Sequence, residues 1–150
     1  MRGFVTGTGA TTLDLLDVDI QPYEYGRALD GDGFATVVDA LVSHEIIVVA
    51  TPVYWYAMSS RMKTLFDRLT DLVTVRKDLG RKLAGRTLAV LSCGADPHLP
   101  AGFDVPFRDT ARYLGMTYVE ACYRQITKDP ESIVSAAVAA ETFGRRLLPR

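Results

Sequence analysis

The chain has 150 residues, 48% hydrophobic and 23% charged, which suits one domain with a continuous core and excludes a disordered segment. Seventeen basic against eighteen acidic residues leave a net charge of -1, so no global pull toward nucleic acid or anionic membrane is expected. The longest apolar run, Ile46 to Ala50, falls far short of a bilayer span, and Met1 to Thr6 lacks the apolar core of a signal peptide. Cys93 and Cys122 stand alone, too far apart for a disulfide framework or a zinc site. The expectation is a single cytoplasmic domain over residues 1–150, with no nucleic-acid or membrane partner.

Apolar periodicity alternates between strand-like and helix-like stretches along the chain. Leu16, Val18 and Ile20 alternate with Asp17 and Asp19 and predict a half-buried strand; these two aspartates, with Asp14, read as a solvated face rather than a metal site. Gln21 to Gly33 carries Pro22 and three glycines and predicts a loop. Phe34, Val37, Val38 and Leu41 recur at helical spacing. Glu45 to Ala50 is apolar on both parities, the mark of a parallel strand covered on both faces and closed by Pro52. Ser59 then suits an N-cap for a helix with Met62, Leu65, Phe66 and Leu69 on one stripe. Leu88 to Leu91 predicts another buried strand, ended by Ser92-Cys93-Gly94. Pro106 opens a helix with Phe107, Thr110, Ala111 and Leu114 inward and Gly115 as its stop. Thr117 to Tyr123 predicts a fourth strand, and Asp129-Pro130 caps a terminal helix with Ile133, Ala137, Ala140 and Leu147 inward.

Strands alternating with helices predict an α/β fold with a mainly parallel sheet, and ligands in such folds sit at the carboxyl ends of the strands. The loops that matter are therefore Thr51 to Met58 and Ser92 to Phe103. Three consecutive aromatics, Tyr54-Trp55-Tyr56, cannot all enter one core. They suit a flat heteroaromatic ligand, or they pack on a neighbouring loop or a partner subunit.

Ala50-Thr51-Pro52-Val53-Tyr54-Trp55-Tyr56-Ala57-Met58-Ser59, followed by Met62-Lys63-Thr64-Leu65-Phe66-Asp67-Arg68-Leu69, resembles the FMN-binding segment of the flavodoxin-like NAD(P)H-dependent FMN reductase and quinone reductase family. The likeness extends more weakly from about Leu13 to Tyr123. It implies a flavodoxin-like parallel sheet with helices on both faces. It also implies FMN as cofactor, NAD(P)H as donor, a quinone, flavin or similar small molecule as acceptor, and a homodimer. On this resemblance Thr51, Pro52, Val53, Tyr54, Trp55 and Tyr56 line the isoalloxazine, and Ser92, Cys93, Gly94 and Asp96 form the second flavin-side loop. Cys93 otherwise reads as a small apolar filler and His98 as a residue exposed to water. No catalytic acid–base residue is required, because the flavin itself accepts hydride.

The resemblance breaks at the N-terminus. The family's first strand, phosphate-wrapping loop and long helix need roughly 30 residues before the strand ending at Ile20. Only about a dozen stand here, with Arg2 to Val5 aligned to the tail of that helix, so an N-terminally shortened fold is expected. Thr6-Gly7-Thr8-Gly9-Ala10-Thr11 fits a phosphate-loop pattern by composition. A working loop needs a strand before it and a helix after it, so a helix-to-strand turn is the expected reading. The alternative function is a truncated, flavin-free domain used for association.

Overall fold

The computed structural model describes residues 8–26 and 31–148. The uncharged stretch after Glu45 forms β1 (Ile46–Pro52), and Ile47, Val49 and Thr51 are buried while the alternate positions are half-buried. The second apolar run forms β2 (Thr87–Gly94), covered on both faces through Leu88 to Leu91. The third strand is β3 (Thr117–Gln125). All three are parallel in the order β1-β2-β3, with Thr51 opposite Ser92, Pro52 opposite Cys93, and Gly94 opposite Gln125. A register shift between Leu88 and Val90 places a bulge in the β2–β3 pairing.

Helices cover both faces, as parallel strands require. One face carries α1 (Phe34–Ser43), α2 (Ser60–Arg68), the short α3 (Asp71–Thr74) and α4 (Lys77–Gly80), and α5 (Val105–Tyr113). Val37, Val38, Met62, Leu65, Phe103 and Phe107 join Ile47, Val49 and Val90 in that core. The other face carries α6 (Pro130–Leu147), whose Ala140 and Phe143 meet Ala89 and Leu91. The caps form where their sequence places them. The Ser59 side chain accepts from Met62 N–H, and that of Asp129 accepts from Glu131 N–H. Gly115 closes α5 with φ 71°.

Two expectations fail. Residues Leu16 to Ile20 form no strand, so the sheet has three strands among the described residues rather than four. Asp14 makes a tight turn, its carboxylate accepting from Leu16 N–H (2.9 Å) and its carbonyl from Asp17 N–H (3.0 Å). That turn throws Leu16 outward and keeps Leu13, Leu15, Val18 and Ile20 against the core, so the alternation was real but its parity breaks at the turn. Residues 10–20 thus form a strap. Ala10 packs with the α6-side cluster, and Leu13 to Ile20 pack on the opposite side of the sheet.

The second failure is in α6. Ile133 and Ala137 are exposed, while Ala140, Phe143, Gly144 and Leu147 turn toward the sheet. The helix turns Ala140, Phe143 and Gly144 inward and leaves Ile133, Val134 and Val138 outside. Among the described residues no helix is long and apolar enough to cross a membrane.

Candidate functional site

The two loops singled out in the sequence leave the same end of the sheet side by side. Val53 N–H donates to Cys93 O (2.7 Å), which ties the first residue after β1 to the end of β2. The Thr51 hydroxyl is buried; it accepts from Ser59 N–H (3.0 Å) and lies 3.2 Å from Ser59 Oγ. Thr51 and Ser59 therefore clamp the two ends of the aromatic loop to the start of α2.

Between those clamps the chain makes a turn. Tyr54 N–H donates to Ala57 O (2.9 Å) and Ala57 N–H returns to Tyr54 O (3.0 Å). Trp55 and Tyr56 occupy the central positions with φ 49° and 65°, the pattern of a type I′ turn. That turn favours glycine and asparagine, and bulky residues there cost about 1–3 kcal/mol each. Two aromatics in left-handed backbone are a strained arrangement held by the hydrogen bonds and clamps around it.

The rings are not absorbed by packing. Tyr54 is 62% exposed, Trp55 93% and Tyr56 67%. The three aromatics form a ledge at the carboxyl end of β1. The N–H groups of Trp55, Tyr56 and Met58 have no backbone partner among the described residues, so donors line the ledge beside the rings.

The second loop is shaped from β3. Tyr123 Oη donates to Asp96 O (2.6 Å), Gln125 Nε2 to Ala95 O (2.7 Å), and Ile126 N–H to Gly94 O (2.8 Å). Burial, with Asp96 and Cys93 nearby, raises the Tyr123 pKa, which keeps this phenol a donor at neutral pH. Gly94 is closely packed. A Cβ there would stand 3.0 Å from Tyr123 Oη and 3.1 Å from Val53 Cβ. Ser92 Oγ is buried without a hydrogen-bond partner. Pro52, Val53 and Cys93 are half-buried, whereas Asp96 and His98 are exposed. Burial also raises the Cys122 pKa, so that thiol is no ready nucleophile.

The structure thus brings together Thr51 to Tyr56 and Ser92 to Asp96 from two separate parts of the chain. It also adds Tyr123 and Gln125, which sequence reading missed because their role is to shape a loop some 30 positions earlier. A surface groove of about 780 Å³ begins at Pro97–Leu99 and runs along β3 and α6, past Cys122, Arg124 and Val138.

A flavin has two ends to hold. The ring end suits it: exposed aromatic faces and main-chain N–H groups without a backbone partner. For the phosphate end, the described residues include only Thr8 to Thr11 of the look-alike stretch. Thr6 and Gly7 of the expected phosphate-loop look-alike lie outside the described residues. Thr8 is helical and Gly9 follows with φ 65°, the left-handed geometry of a helix C-cap. Ala10 N–H donates to Thr8 Oγ1 (3.2 Å).

A parallel sheet wrapped by helices, with an exposed aromatic ledge at the strand ends, defines a flavodoxin-like α/β protein. The chain belongs to the NADPH-dependent FMN reductase family, whose sequence pattern matches residues 5–131. It is 24% identical over 124 residues to YwqN of Bacillus subtilis strain 168, provisionally named an NAD(P)H-dependent FMN-containing oxidoreductase, covering 76% of this chain and 68% of YwqN. It is 29% identical over 110 residues to the uncharacterized NAD(P)H oxidoreductase YdeQ of the same organism, covering 65% of this chain and 56% of YdeQ. Among solved structures, the Trp repressor binding protein from Bacillus subtilis superposes with a TM-score of 0.67 at 21% identity, covering 89% of this chain and 81% of that one.

Proposed function

We propose that the protein is an NAD(P)H-dependent flavin oxidoreductase that holds the isoalloxazine of FMN on the Tyr54–Tyr56 ledge and passes electrons to a quinone, a flavin or a similar small acceptor. The observation that carries this reading is the pair of strained, exposed aromatics at the carboxyl end of β1, beside the loop that leaves β2. Family membership supports the oxidoreductase class.

When bound, the flavin supplies hydride acceptance and electron transfer, and the chain supplies binding and orientation. Tyr54, Trp55 and Tyr56 offer ring faces for stacking. Main-chain N–H groups at Trp55 and Tyr56 are placed to donate to the electron-rich edge of the ring system, and the Val53–Cys93 bond keeps the two loops in register. No side-chain acid or base is assigned.

A homodimer belongs to the same proposal, since exposed rings next to α2 suit subunit pairing. The flavin-free association domain is the second reading, since the exposed rings beside α2 also suit a partner surface. One assay separates the two. NADPH consumption is followed with added FMN and a quinone, for the wild type and for Trp55→Ala. The oxidoreductase shows FMN-dependent turnover, and Trp55→Ala needs about tenfold more FMN for half-maximal rate, as the loss of one stacking partner implies. Absence of turnover at any FMN concentration would favour the association domain.

A further inference from the structure

We propose that the outer edge of β3 is a self-pairing surface, against which β3 of a second copy of this chain lies antiparallel and joins the two sheets into one. β3 stands at the opposite side of the sheet from β1 and its aromatic ledge, so the inference is independent of the flavin reading.

The backbone groups on that edge follow from the pairing on its inner side. Ser92 stands opposite Tyr123 and Gly94 opposite Gln125, and Ile126 N–H donates to Gly94 O (2.8 Å). In a parallel ladder each residue turns its N–H and C=O to one side and the next residue turns them to the other. Cys122, Arg124 and Ile126 therefore face β2, and Ala121, Tyr123 and Gln125 face outward. The outward Tyr123 O is held by the side chain of its own neighbour, Arg124 Nη1 (2.7 Å). Among the described residues no strand pairs with this edge.

The side chains select the occupant. Glu120 pairs with Arg146 of α6 (2.5 Å) and Cys122 packs with the α6-side cluster, so these two, and Arg124 by alternation, lie on one face of β3. A two-fold axis at Cys122 sets Glu120 opposite Arg124 of the second copy, and Arg124 opposite Glu120 of the second copy. The same register sets Ala121 against Tyr123, two residues with outward groups, as a hydrogen-bonded antiparallel pair requires. Sliding one strand by two residues keeps the ladder and loses both charge pairs, so charge fixes the register. The groove of about 780 Å³ along β3 and α6 adjoins this edge, lined on its helix side by Ser135, Val138 and Thr142, with Val138 58% exposed. The two-fold puts both α6 helices on the same face of the joined sheet, where the second copy covers that groove.

The test is sedimentation of the whole chain from about 1 to about 100 µM, the range in which a modest interface is read. Wild type, Arg124→Glu, Glu120→Arg, an equimolar mixture of these two variants, and Trp55→Ala are compared. The proposal expects wild-type pairing that each charge variant alone weakens about tenfold or more, because like charges then face each other twice across the axis. The mixture restores pairing, since both contacts are again of opposite sign, and Trp55→Ala keeps it. In the wild type, amide exchange at Ala121 and Tyr123 slows as concentration rises, a readout that needs no variant. A wild type monomeric at the highest concentration, pairing that Arg124→Glu leaves intact, or a mixture that fails to restore it would overturn the proposal. Pairing lost in Trp55→Ala and kept in Arg124→Glu places the contact at the ledge and overturns it as well.

Discussion

Trp55 and Tyr56 pair high exposure with an unfavourable backbone, so neither packing nor local preference explains why aromatics stand there. Strain retained at the ledge proposed to bind flavin is the expected trade between stability and function. Tyr56→Gly should therefore raise stability by about 1 kcal/mol, roughly 2–4 °C in Tm, while weakening flavin binding. Thermal unfolding and dialysis of the same preparation check both signs, and a fall in Tm would contradict the strain. A second residue-scale prediction concerns Tyr118. Its hydroxyl is buried without a partner, and burial, reinforced by the negative charge of Asp104, pushes its pKa up to about 12. Tyr118→Phe removes an unsatisfied polar group and should leave the protein as stable or up to about 1 kcal/mol more so, read by denaturant midpoint. A clear loss would mean the hydroxyl has a partner in solution. Three adjacent aromatics after a buried strand were enough to mark the ledge from sequence. Their left-handed backbone was not legible, because nothing in Tyr-Trp-Tyr encodes a positive φ.

At the scale of elements, the strap and the loop that follows it are held by one buried cation. Arg68, only 1% exposed, pairs with Asp32 and Asp71, donates to Gln21 O (2.9 Å), and lies 4.5 Å over the Phe34 ring. Asp32 in turn accepts from Gln21 N–H (2.9 Å) and Phe34 N–H (3.0 Å). Burial alone would raise the Asp32 pKa, but the hydrogen bonds from Arg68, Gln21 and Phe34 outweigh it and hold the carboxylate below its ordinary value. Asp32→Asn leaves Arg68 short of a buried counter-charge and should cost about 3 kcal/mol, roughly 6–12 °C in Tm, at pH 7.

The pH dependence follows from the direction of that shift. A depressed carboxylate stabilises fully above its unfolded pKa of about 3.9, and the contribution fades as pH falls through the folded value. The gap between wild type and Asp32→Asn should be the same at pH 7 and pH 5 and should narrow below about pH 4. A gap that closed already near pH 6 would contradict the assignment. Sequence reading placed the loop and α1 but not this network, since Asp32, Arg68 and Asp71 carry no spacing that advertises contact across 36 positions. It also misjudged the strap, where one aspartate-led turn reverses the parity of Leu16.

At the scale of the molecule, the parallel sheet and the helices on both faces were legible because the two buried strands, β1 and β2, are centred on apolar runs bounded by turn residues. The register was not, yet it decides the site. It sets Pro52 against Cys93 and Gly94 against Gln125, so that two loops far apart in sequence meet. Everything functional depends on that meeting point holding a flat ring system. Trp55 is the sole tryptophan of the chain, so intrinsic fluorescence reports on the ledge without labelling. Titration with FMN should quench Trp55 emission saturably, with one flavin per chain and the same midpoint found by dialysis. Emission that stays unchanged while flavin binds, or that no flavin alters at all, would contradict a ring bound at Tyr54–Tyr56.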